Sequence, residues 1–114
     1  MRTDELVRPG QSGRPGNAAA EQIDQPIRLR SGLPTNLEAV RFLLTGLRYP
    51  TGSGTDRVYG GASMLVVVDD VVQTVNVRIG DRFTAGDQKW RLDTALELQD
   101  FESAALISRI RRRR

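Results

Sequence analysis

Apolar and polar side chains alternate over most of the chain after Pro26, the period-two signature of strands with one dry face and one wet face. Ile27-Arg28-Leu29-Arg30, closed by Ser31-Gly32-Leu33-Pro34, predicts a first short strand. Met64-Leu65-Val66-Val67-Val68 is a β-branched run of strand length, and Asp69-Asp70 separates it from a second run, Val71 to Ile79. In that second run Val71, Val75, Val77 and Ile79 share one face while Val72, Thr74, Asn76 and Arg78 share the other, as an antiparallel strand lying on a core requires. Arg82-Phe83-Thr84 sits between the turn signals Gly80-Asp81 and Ala85-Gly86-Asp87. From Gln88 to Leu98 the alternation returns, with Trp90, Leu92, Leu96 and Leu98 facing one way and Lys89, Arg91, Asp93 and Glu97 the other. Beyond a Gln99-Asp100 turn, Ser103 to Ile110 predicts a last strand, with Leu106 and Ile110 on one side and Ile107 and Arg109 on the other.

Three segments depart from this pattern. Between Asn36 and Leu47, Leu37, Val40, Leu44 and Leu47 sit at helical spacing behind a Thr35/Glu38 capping-box pair, whereas Val40, Phe42 and Leu44 also alternate as a strand would. The pattern admits both, although Thr45-Gly46 is a poor place for a helix to continue. Tyr49 to Gly61 carries Pro50, Gly52, Ser53, Gly54, Gly60 and Gly61 and predicts a long mobile loop. Met1 to Gln25 carries Pro9, Gly10, Gly13, Pro15 and Gly16 with few large apolar side chains. Such a segment cannot offset the entropy of ordering, so a flexible arm is expected, with at most a transient helical turn at residues 18–23.

Five or six short strands joined largely in sequence order, with little helix to cover a sheet, must bury their apolar faces against one another. The expected fold class is all-β: a small antiparallel meander curled into a partly open barrel or sandwich. The expected organisation is an arm over residues 1–25, a barrel-like domain over 26–111 and a basic tail over 112–114. A chain of 114 residues holds one such domain and buries about two thirds of its unfolded surface.

Composition then narrows the chemistry. There is no cysteine, which excludes disulfides, a thiolate nucleophile and cysteine-ligated zinc. Histidine is also absent, which removes the usual general base near neutral pH and the commonest transition-metal ligand. No signal peptide is visible, and the longest apolar run, Met64 to Val68, is far short of the ~20 residues that cross a bilayer. The expectation is a soluble, cytoplasmic protein without cofactor, metal or catalytic residues. Net charge is +3, and Lys89 is the only lysine among 17 basic residues, an arginine bias that fits a GC-rich coding sequence.

Individual motifs support little chemistry. Asp69 and Asp70, with Asp56, offer carboxylates, but adjacent strand-end residues point to opposite faces and a hairpin turn explains the first two. Gly52-Ser53-Gly54 lacks the Lys-Ser/Thr ending and the following helix of a phosphate-binding loop. Phe83 and Trp90 lie on the apolar phase of their strands and predict core, against the alternative of an exposed stacking pair. Arg109, Arg111, Arg112, Arg113 and Arg114 are the one basic cluster; they either contact phosphates or form a solvated end that keeps the last strand from pairing at its edge.

The run Ile79-Gly80-Asp81-Arg82-Phe83, followed by Gly86-Asp87-Gln88-Lys89-Trp90-Arg91-Leu92 and preceded by an apolar strand pair, resembles a family of small uncharacterised proteins from actinobacteria such as streptomycetes, classed as a domain of unknown function. The resemblance spans residues 27–110. It implies an all-β fold with Glu38 to Leu47 as strand, and it carries no site residues; the arm and the terminal arginines look additional to the family pattern. Function is therefore expected to lie in binding: a module that presents a free sheet edge, or Tyr49, Arg57 and Tyr59 of the long loop, to a protein partner or to a second copy of itself. An accessory nucleic-acid binder using the arginine cluster is the alternative. No membrane association is expected.

Overall fold

A computed structural model describes residues 21–52 and 57–112 of the chain. Every regular element among them is a strand: β1 (Glu21–Ile23), β2 (Ile27–Arg30), β3 (Thr35–Leu37), β4 (Val40–Pro50), β5 (Val58–Val68), β6 (Val71–Arg78), β7 (Arg82–Ala85), β8 (Gln88–Glu97) and β9 (Ser103–Arg112). All pairings are antiparallel. The sheet runs β1-β9-β8-β5-β4-β3, with β2 also on β9, β6 on β5 and β7 on β8.

The curl comes from how β5 shares its second edge. One edge pairs with β4 along its length; the other pairs with β6 from Gly61 to Val68 and with β8 only at Val58 and Tyr59. Beyond that short junction β5 and β8 diverge, each carrying its own hairpin partner, and the sheet splits into two leaves. Their apolar faces fold together into a half-barrel with one core, to which Leu29, Phe42, Leu44, Met64, Val66, Trp90, Leu92 and Ile107 contribute the largest side chains. Phe42 of one leaf meets Trp90 of the other edge-to-face at 5.0 Å, and Phe83 joins Phe42 at 6.4 Å, so the aromatic pair belongs to the core. The Trp90 indole N–H donates to the Ala85 carbonyl at 3.1 Å, which satisfies its one polar atom.

The ambiguous segment is a hairpin. Thr35 pairs with Phe42 and Leu37 with Val40 around a turn in which Glu38 has φ 56°, so the Thr35/Glu38 pair marks a strand turn and not a helix cap. Val40, Phe42 and Leu44 are buried and Arg41 is exposed, the alternation of a strand on a core. The register then shifts between Leu44 and Gly46, a bulge that lets the strand run on to Pro50.

A second bulge corrects the reading of β8. Leu92 faces Ile107 and Thr94 faces Leu106, leaving Asp93 as the extra residue. The side-chain phase slips by one there, so Ala95 enters the core while Leu96 stays partly exposed. The bulge is tied down by polar contacts: Asp93 accepts from Arg91 Nε at 2.6 Å and from the hydroxyl of Ser108, which is fully buried.

Other expectations shift as well. Among the described residues there are nine strands in place of five or six, because hairpins around Glu38 and a third strand pair on β9 are too short to stand out in the pattern. Glu21–Ile23 is not part of a helical turn or an unstructured arm; it pairs with Ile110 to Arg112. The rest of the predicted arm, residues 1–20, lies outside the described residues. Both faces of β9 are largely buried, which is why its apolar residues fall on both phases. No helix among the described residues is long and apolar enough to cross a membrane.

Candidate functional site

The loop predicted over Tyr49–Gly61 is strand at both of its ends. β4 continues through Tyr49 to Pro50 and β5 begins at Val58, leaving only residues 51–57, of which 53–56 lie outside the described residues. Tyr49 adopts φ 59°, which turns its ring across Gly61 of β5; a Cβ on Gly61 would come within 2.9 Å of that ring and 2.5 Å of the Val77 carbonyl oxygen. The Arg78 guanidinium stacks 4.0 Å from the ring centroid, with Arg48 at 5.5 Å. Tyr59 is half-buried and its hydroxyl donates to Glu97 at 3.3 Å; the Glu97 carboxylate, with burial second, holds the phenol above its ordinary pKa. Arg57 donates to the Leu98 carbonyl and lies 5.1 Å over the ring of Phe101. Arg57 and Tyr59 thus turn toward the β8–β9 connection and Tyr49 toward β6, so the three do not converge on one surface.

The arginine cluster is also divided. Arg109 is mostly buried, bonded through Nε to Asp24 at 3.0 Å and through Nη1 to Glu38, with its guanidinium 6.0 Å from the Trp90 ring. It ties the last strand to the β3–β4 turn and to the segment after β1. Arg111 shares Asp24 at 3.2 Å, and Arg112 is exposed at the end of β9. Arg113 and Arg114 lie outside the described residues, as does Asp56. Asp69 and Asp70 form a two-residue hairpin turn with φ 51° and 64°, the doubly left-handed turn that matches strand twist. Among the described residues, no group of three or more histidine, cysteine or carboxylate side chains is placed to hold a metal.

What the structure brings forward is the outer edge of β6. Among the described residues this strand pairs with β5 alone, in an unbroken register from Val68↔Val71 to Gly61↔Arg78. Because the Asp69-Asp70 turn closes on a hydrogen-bonded Val68–Val71 pair, the odd-numbered residues of β6 bond to β5. The Ile79 N–H to Gly60 carbonyl bond at 2.7 Å keeps the same phase. The backbone groups of Val72, Thr74 and Asn76 therefore face outward, away from β5. Val71 and Val72 are 67% and 61% exposed, because the hairpin tip projects past the second leaf; Val71, read from the sequence as a core-facing residue, is on the core phase but beyond the core.

The other strand edges are short, charged or interrupted. β1 and β3 have three residues each and β2 and β7 four. β2 carries Arg28 and Arg30, and β4 past Phe42 carries its bulge, Arg48 and Pro50. β6 has eight residues, no proline, no bulge and no charge from Val71 to Val77. These are the devices that prevent edge pairing, and β6 lacks them. Charge gathers at its ends: Asp69 and Asp70 line a shallow depression with Asn36, Glu38, Val40 and Val67 at one, and Arg78 closes the other. The sequence signal was present in the uncharged stretch between Asp70 and Arg78, but which strands lie at an edge is a property of the topology.

Fold and site together define a small all-β half-barrel with, among the described residues, one long, neutral, open sheet edge. Comparison with protein-family models, with curated proteins and with solved structures finds no match to the chain.

Proposed function

We propose that the protein is a non-catalytic protein-binding or assembly module that takes an extended protein segment onto the outer edge of β6. The observation that carries this reading is the unprotected edge: three consecutive outward-facing residues, Val72, Thr74 and Asn76, offer backbone donors and acceptors beside two exposed valines on a strand that a tight turn and β5 hold in place. Strand addition draws affinity from main-chain bonds and specificity from alternate side chains, and a preformed edge lowers the ordering cost. The lack of cysteine fits a reducing compartment such as the cytoplasm.

Val72→Lys places a charge on the exposed edge while leaving the β5 bonds in place, and is expected to abolish capture. The full chain, the Val72→Lys variant and a chain lacking Arg111 to Arg114 are immobilised and challenged with lysate, with and without nuclease treatment, and with a differently tagged copy of the full chain. The reading predicts retention by the full chain and by the chain without the arginines, and none by Val72→Lys at unchanged circular dichroism. Equal retention by Val72→Lys refutes it. Capture that is sensitive to nuclease and depends on the arginines would assign the protein to nucleic acid instead.

A further inference from the structure

We infer that the segment taken onto β6 is β6 of a second copy, paired antiparallel about a two-fold axis at Thr74. This rests on the edge reading above and adds the identity of the occupant and its register. Charge along the strand runs from acidic at Asp69 and Asp70, through a neutral stretch from Val71 to Val77, to basic at Arg78. An antiparallel copy sets the acidic end of one strand against the basic end of the other, so the strand is complementary to itself. Isologous pairing of this kind closes the interface at a dimer.

The outward phase restricts the register. Hydrogen-bonded partners must both come from Val72, Thr74, Asn76 and Arg78, so symmetric pairing centres on Gln73, Thr74 or Val75. Centred on Gln73, Asn76 meets Asp70 of the second copy; centred on Val75, Arg78 meets Val72 and Asp70 is left opposite Gly80. Centred on Thr74, Val72 meets Asn76, Thr74 meets itself, and Arg78 meets Asp70 at both ends. Only this register engages all three outward residues of both strands and pairs the terminal charges. It also stops where it should, since the Arg78 carbonyl already accepts the Asp81 N–H at 3.0 Å. On the core phase it sets the exposed Val71 beside Val77 of the second copy, and on the outer phase Thr74 beside Thr74, a favourable cross-strand pair.

The chain has no cysteine, so single cysteines report the register directly. Hydrogen-bonded antiparallel partners have Cα atoms about 5.5 Å apart, within the reach of a disulfide. The 114-residue chain is expected to sediment as a dimer. Thr74→Cys should form a disulfide-linked dimer on mild oxidation, Asn76→Cys alone should not, and a mixture of Asn76→Cys with Val72→Cys should give the mixed dimer. A dimer that cross-links through Asn76→Cys alone, or through neither Thr74→Cys nor the mixture, overturns the register. A 114-residue chain that stays monomeric at high concentration overturns the second copy as occupant; if Val72→Lys then still abolishes capture of a different protein, the edge reading survives and the self-pairing does not.

Discussion

Replacing Trp90 by alanine is expected to remove about 3–5 kcal/mol of stability, the usual range for truncating a buried aromatic in a core. Trp90 is 1% exposed, sits edge-to-face on Phe42 at 5.0 Å and bridges the two leaves of the curled sheet. Its removal leaves a cavity between leaves that otherwise join through strands only at the short β5–β8 junction, and it strips the Ala85 carbonyl of its indole donor. A domain of this size has a total stability of about 5–15 kcal/mol, so the loss is a large share of the whole. In urea denaturation the midpoint should fall steeply. A change below about 1 kcal/mol would mean that the leaves are not held together at Trp90.

Gly61→Ala is expected to be strongly damaging for so small a change. The new Cβ would sit 2.5 Å from the Val77 carbonyl oxygen, a backbone atom that cannot move without disturbing the β5–β6 ladder, and 2.9 Å from the Tyr49 ring. Overpacking commonly costs about 1–3 kcal/mol, and a backbone obstruction puts this case at the upper end. The effect also reaches the candidate edge: displacing Tyr49 releases the Arg78 guanidinium stacked on it at 4.0 Å, and β6 loses its anchor where it meets β7. Gly60→Ala is the control. Its Cβ would approach nothing closer than 3.4 Å, so a smaller loss is expected. Equal losses at the two positions, read by thermal denaturation, would contradict the packing described here.

Much of the fold is legible in the chain because most strands lie with one face on the core. Alternation marked β2, β6 and most of β8, and the Asp69-Asp70 break marked a tight turn. What alternation does not carry is a change of phase within a strand. The bulge at Asp93 moves Ala95 inward in place of Leu96, and nothing in the order of residues distinguishes Asp93 as an extra residue. The same holds where pairing is short: Thr35–Leu37 and Glu21–Ile23 exist because β4 and β9 offer them a partner, not because three residues have a preference of their own. For the candidate site the limits were of another kind. Turn-forming residues over Tyr49–Gly61 suggested a loop, yet Gly61 serves close packing under a tyrosine and not mobility. The terminal arginines looked like a single cluster until Asp24 and Glu38, distant in sequence, were found to hold Arg109. A composition of valine, threonine, glutamine and asparagine in β6 is ordinary until topology leaves that strand at an edge.

Residue-resolved amide hydrogen exchange along β6 tests the central claim most directly. In dilute protein Val71, Gln73, Val75 and Val77 should exchange slowly, held by β5, while Val72, Thr74 and Asn76 exchange fast. As the complex forms, with concentration or with the captured protein, the three fast amides should become protected together while their neighbours stay as they were. A complex that forms while Val72, Thr74 and Asn76 keep exchanging at their free rates would contradict β6 as the working edge.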